Sequence, residues 1–99
     1  MSDDFLHAAY LTARFAKDTP LGRQDLAERF PHEAAGANFE ESYQRALSLV
    51  AAADAADARR AKKEITDEGA IAELRAKCPG FTDVTYNLAL THALLQRIY

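Results

Sequence analysis

Val84-Thr85-Tyr86-Asn87-Leu88-Ala89-Leu90-Thr91-His92-Ala93-Leu94-Leu95-Gln96 contains no Asp, Glu, Lys or Arg. No other stretch bears so directly on the fold. At about 100° per residue, Val84, Leu88, Leu95 and Ile98 form one stripe, which Leu90 and Leu94 widen. The polar strip is narrow: Thr85, His92 and Gln96, with Ala89 between. A helix apolar over most of its circumference is either central in a bundle or shared with a partner. This segment is therefore expected to be the best-buried helix of an all-α protein.

The residues before it supply a start signal. Pro79-Gly80 ends the preceding segment, Thr82 is the cap, and Phe81 and Tyr86 occupy the two positions of a hydrophobic staple. Upstream, Thr66-Asp67-Glu68 opens another helix, with Ile71, Leu74 and Cys78 on one face. Further back, Phe39, Tyr43, Ala46, Val50 and Ala53 repeat at helical spacing behind a capping-box arrangement of Asn38 and Glu41. Asp57 falls on the centre of that apolar stripe. The helix is thus expected to kink near residues 54–57, rotate its buried face, or project beyond the core. Ala58, Ala61 and Ile65 continue as a narrower stripe, so residues 39–65 read as one helix or two.

The N-terminal third follows the same logic. Residues 3–17 form an amphipathic helix, with Phe5, Ala8, Ala9, Leu11, Phe15 and Ala16 on the apolar face. Asp3, His7, Arg14 and Asp18 lie opposite. Acids at the start and Arg14 and Lys17 at the end suit the helix dipole. Thr19 caps a second helix whose first position is Pro20, with Leu26, Ala27 and Phe30 inward. Residues 31–37 read as a connector. The expected architecture is a compact bundle of about five helices around one core, residues 1–99 as a single domain, with the C-terminal helix central.

Composition bounds the function. The chain has 99 residues and a formal charge of −3, with Ala abundant and Gly and Pro sparse. Residues 1–50 carry eight acids and five bases, and residues 51–99 carry seven of each. Neither half has the basic excess of a phosphate-tracking surface, which argues against a nucleic-acid partner. No apolar run approaches the ~20 residues of a membrane span, so no membrane role is expected. An acidic start without a following apolar stretch argues against a secretory signal, and a soluble, cytoplasmic protein is the expectation.

Motifs with chemistry are scarce. Residues 24–30 resemble the first helix of a helix-turn-helix, with residues 39–50 offered as its reading helix. That reading helix, however, begins Phe39-Glu40-Glu41, and carboxylates there repel phosphates. The connector also exceeds the 3–4-residue turn of the motif. Arg59, Arg60, Lys62 and Lys63 form a weak basic patch among acids, with Arg60 and Glu64 at i, i+4 spacing; a solvated helix face explains them. Cys78 is phased with Ile71 and Leu74, as a buried thiol would be. His7, His32 and His92 lack the spacing of a helical metal pair. The acid pairs at 3–4, 40–41 and 67–68 all lie at helix N-termini, where the dipole accounts for them. No catalytic, cofactor-binding or metal-ligating set is expected.

The reading that remains is a non-enzymatic protein–protein interaction module, accessory or regulatory, and a homodimer. Nine aromatics and several apolar helical faces are generous for this length, and surplus apolar surface finds an outlet in helix docking. Tyr86, Leu90, Leu94 and His92 are the candidate interaction residues. The alternatives are a DNA-binding regulator using residues 24–50, and a small enzyme built around His92 or Cys78 without a recognisable motif.

Overall fold

The computed structural model describes residues 2–16 and 19–99. Its elements are α1 (Asp3–Ala16), α2 (Pro20–Arg29), α3 (Pro31–Ala34), α4 (Phe39–Ala61), α5 (Asp67–Lys77) and α6 (Asp83–Ile98), and the protein is all-α. Six helices replace the expected five, because the connector contains α3. Pro31 supplies a φ already suited to a first helical position, and Ala34 N–H donates to Phe30 O at 2.9 Å to close the single turn. Lys17 and Asp18, expected at the end of the first helix, lie outside the described residues. The chain forms two compact units, Met1–Ser48 and Leu49–Tyr99, and α4 runs from the first into the second.

In the first unit the buried face of α1 is rotated from the expected one. Phe5, Ala8 and Ala9 are buried, but Leu11 and Ala16 are half-buried and Phe15 is 66% exposed, because the helix turns Leu6, Tyr10 and Ala13 inward instead. Phe5, Ala9 and Tyr10 are fully covered. The Phe5 ring meets Phe30 edge-on at 5.5 Å and lies 6.0 Å from Phe39. Thr19 caps α2, its hydroxyl accepting Gly22 N–H at 3.1 Å. Gly22 has a packing reason: a Cβ there would stand 2.8 Å from the Ala16 Cβ. The polar side of α1 departs from the expectation too. Arg14, assigned to the outward face, is only 3% exposed, and its Nε donates to the Tyr10 hydroxyl at 3.3 Å. A guanidinium on an apolar stem can be covered when its donors are satisfied, which helical projection cannot register.

In the second unit α4 continues unbroken to Ala61 and then stops abruptly. Lys63 N–H donates to Arg60 O and Glu64 N–H to Arg59 O, each at 3.0 Å, and Lys63 takes φ 60°. That pairing of bonds is a Schellman termination, with a lysine where glycine is usual. It answers the question of one helix or two: there is one, and Ile65 lies past its end. Ala58 and Ala61, assigned to a buried stripe, are exposed. Arg60 and Glu64 are not helical neighbours either, because the turn has already left helical geometry.

Thr66 and Thr82 cap α5 and α6 through Gly69 N–H and Thr85 N–H, at 3.0 and 3.4 Å. The staple also forms, with Phe81 and Tyr86 edge-to-face at 6.0 Å. Tyr86 adds a further bond, its hydroxyl donating to Cys78 O at 2.6 Å, so the turn between α5 and α6 is fastened from inside.

Candidate functional site

α6 is held at both ends, and its middle shows which side faces out. At the N-terminus, Asp83 of α6 accepts two bonds from Arg75 of α5, at 2.7 and 3.0 Å. Phe81 N–H donates to the Tyr86 hydroxyl at 3.3 Å. Burial pushes the Tyr86 phenol up from its ordinary value, so this hydroxyl stays a neutral donor to Cys78.

The C-terminal end is held by charge. Arg97 Nε donates to Asp57 Oδ2 at 2.7 Å, and Arg60 donates to Oδ1 of the same carboxylate at 2.8 Å. The Asp57 side chain is 2% exposed. Burial by itself raises the Asp57 carboxyl, but the hydrogen bonds and charges of Arg97 and Arg60 outweigh it and hold the group below the usual carboxylate range. Arg60 also reaches Asp67 at 3.3 Å. An open pocket of about 290 Å³ borders the pair, lined by Asp54, Asp57, Ala93, Gln96 and Arg97.

At Asp57 α4 continues as a helix, which reaches Ala61. It buries the carboxylate and neutralises it with two arginines, one from the next turn and one from forty residues on. Every buried side-chain nitrogen or oxygen among the described residues has a partner.

Between those ends, α6 overturns part of the expected assignment of faces, although Leu90 is buried and Gln96 exposed as expected. Its buried residues are Thr85, Tyr86, Ala89, Leu90 and Ala93. Val84, Leu95 and Ile98, assigned to the buried stripe, are 70%, 43% and 57% exposed. The strip taken as polar and outward contributes Thr85 and Ala89 to the interior. Nor is α6 the best-buried helix: five of its 16 residues are buried against eight of 14 in α1. The physical reason is size. Small side chains at 85, 89 and 93 let a neighbouring element come close, and with no charge to mark a face, closeness of approach decides it.

The outward side has a regular pattern. Val84, Leu88, Thr91, Leu95 and Ile98 follow one another in alternating steps of four and three residues. That is the spacing of a helix–helix seam, in which side chains interlock with those of a facing helix. Leu88 is half-buried and Thr91 exposed, with the Thr91 hydroxyl donating back to Asn87 O at 2.9 Å. The four-three step was visible in the sequence; the signal that would have placed it outside, the small-residue face opposite, was not read.

The other singled-out residues are placed as follows. Tyr86 and Leu90 are buried, while His92 and Leu94 are half-buried. Tyr86 and Leu90 are thus interior side chains of the helix that carries the stripe. The basic patch divides: Arg59 pairs with Glu73, Arg60 with Asp57 and Asp67, and Lys62 and Lys63 are exposed. Cys78 is buried, and burial raises its thiol above the usual range against the lowering charge of Lys77. His7 is half-buried and His32 exposed. Among the described residues, no group of three His, Cys, Asp or Glu comes together to hold a metal, and no helix is long and apolar enough to cross a membrane.

The helix-turn-helix likeness meets a different geometry. Residues 30–38 separate α2 from α4 and contain a helical turn of their own. At the start of α4, Glu40 accepts two bonds from Arg23 at 2.8 and 3.1 Å, and Glu41 pairs with Arg45. A bond from Gln44, then those from Arg23, holds the Glu40 carboxyl below its ordinary value. The end that would meet DNA phosphates thus carries two carboxylates already paired with arginines. Compared with known proteins, the chain matches no family model, no curated protein and no solved structure.

Proposed function

We propose that this chain is a non-enzymatic interaction module of accessory or regulatory kind, working in the cytoplasm, which pairs with a second copy of itself through the outward stripe of α6. The exposure of Val84, Leu95 and Ile98 at seam spacing carries this reading. A second copy is the occupant that the charge pattern favours. When a surface meets its own image across a two-fold axis, a charge close to that axis confronts its own copy. The stripe from Val84 to Gln96 has no charged residue, so it meets itself without that repulsion.

Magnitude sets the expected strength. Fully burying an aliphatic side chain is worth about 1.5–3 kcal/mol, and these start roughly half-exposed. Six such side chains across the pair give about 5–9 kcal/mol before an association cost of about 4–15 kcal/mol. The pair is therefore weak, with a dissociation constant between roughly 100 µM and 1 mM.

Sedimentation equilibrium from about 10 µM to about 1 mM tests it. The weight-average mass rises towards the dimer in the wild type and stays monomeric in Leu95→Lys. A wild-type mass that remains monomeric throughout overturns the reading, as does a Leu95→Lys variant that pairs like the wild type.

A further inference from the structure

Asp57 stands where the α4 periodicity calls for an apolar residue, and it is buried with both oxygens engaged. Replacing a buried ion pair by packed apolar side chains is often neutral or stabilising, so such a pair is better explained by what it positions than by what it stabilises. Arg97 shows what that is. It lies two residues after Leu95 and one before Ile98, about 200° and 100° around the helix from them. Its contact with Asp57 is therefore made from behind the outward stripe.

The last turn of an α-helix is where the hydrogen-bond ladder runs out of donors for its carbonyls. In α6 that turn carries Leu95 and Ile98, half of the apolar side chains in the seam. Arg60 strengthens the anchor, because it binds Asp57 and reaches Asp67 at the start of α5. The carboxylate that receives Arg97 is thus itself held from two elements.

We infer that the Asp57–Arg97 pair is a positioning contact for the self-association surface, holding the final turn of α6 so that Leu95 and Ile98 stay in line with Val84 and Leu88. This rests on the α6 stripe being the pairing surface. Arg97 touches no partner residue in this scheme; it acts through the helix that bears it.

Arg97→Gln removes the charge at a half-exposed position, and Arg97→Lys restores a cation able to approach Asp57. Amide hydrogen exchange and sedimentation equilibrium are read on wild type, both variants and Leu95→Lys. The expected result for Arg97→Gln is exchange about tenfold faster over residues 94–99, with residues 85–90 unchanged, and a dissociation constant raised about tenfold. Arg97→Lys recovers part of both. Leu95→Lys loses pairing while last-turn exchange stays at the wild-type monomer rate. Should Arg97→Gln fail to fold, Arg97→Lys alone decides by an intermediate shift in both readouts. A wild type that pairs, with Arg97→Gln pairing as tightly, overturns this inference and leaves the proposed function standing. Slower pairing that tracks only global stability, without faster exchange in the last turn, overturns it too. A wild type that never pairs overturns both.

Discussion

α1 and α6 have similar lengths and similar apolar content, yet α1 is covered over most of its circumference and α6 on one side only. In α1, Phe5 and Ala9 fall opposite the exposed acids Asp3 and Asp4 and are fully covered, and Tyr10 and Arg14, on the Asp3 side of the helix, are buried as well. In α6 no charge separates Val84 from Gln96. Several orientations satisfy the hydrophobic effect about equally, because burying Leu95 is worth as much as burying Leu90. Packing then chooses: Thr85, Ala89 and Ala93 allow close approach, and Tyr86 and Leu90 flank them inward. Val84, Leu95 and Ile98 are left outside. Apolarity says what can be buried, whereas charge and size say what is.

Substitutions separate the two cases by magnitude. Phe5→Ala in α1 removes a ring packed against Phe30 and Phe39, and is expected to lower stability by about 3–5 kcal/mol in chemical denaturation. In α6 the comparison is sharpest within one helix. Leu90→Ala should cost about 2–4 kcal/mol, and Leu95→Ala no more than about 0.5 kcal/mol, both read at a concentration where the chain is monomeric. Equal losses at 90 and 95 would break the assignment of the two faces.

Acid should loosen the end of α6. The folded Asp57 carboxyl lies below the ordinary value of about 4, so its contribution to stability is fully present above that value. It is lost as pH falls through the depressed folded value, because protonation removes the partner of Arg97 and Arg60. The thermal midpoint of the wild type should therefore fall more steeply below about pH 4 than that of Asp57→Asn, which has no such proton to take up. Parallel curves would show that the pair is not linked to folding.

The smallest expected effect lies at the end of α4. Lys63 holds a positive φ that costs an L side chain about 1 kcal/mol relative to glycine. Lys63→Gly should raise stability by up to that amount in thermal unfolding. A loss instead would mean that the exposed lysine does more than end the helix.

The caps show how far local chemistry can be read directly. Thr19, Thr66 and Thr82 each accept the N–H expected of an N-cap, and Phe81 and Tyr86 meet as a staple. These interactions span a few residues, and their partners are fixed by backbone geometry once the helix starts. α3 was missed because a four-residue helix has too few positions to show a period. Asp57 was legible as a conflict but not as a solution. Its partner Arg97 lies forty residues away, beyond anything helical spacing encodes.

By itself, then, the sequence determined the five longer helices, the caps at Thr19, Thr66 and Thr82, and the charge-free character of residues 84–96. Those properties depend on torsional preference, hydrogen bonding and dipole within one or two turns. Only the tertiary structure decided that Arg14 is covered, that Asp57 is buried between two arginines, and that Val84, Leu95 and Ile98 look outward. Each of these is a choice among placements of nearly equal local free energy. Such choices are settled by which distant side chains pack close enough to exclude water or supply an opposite charge.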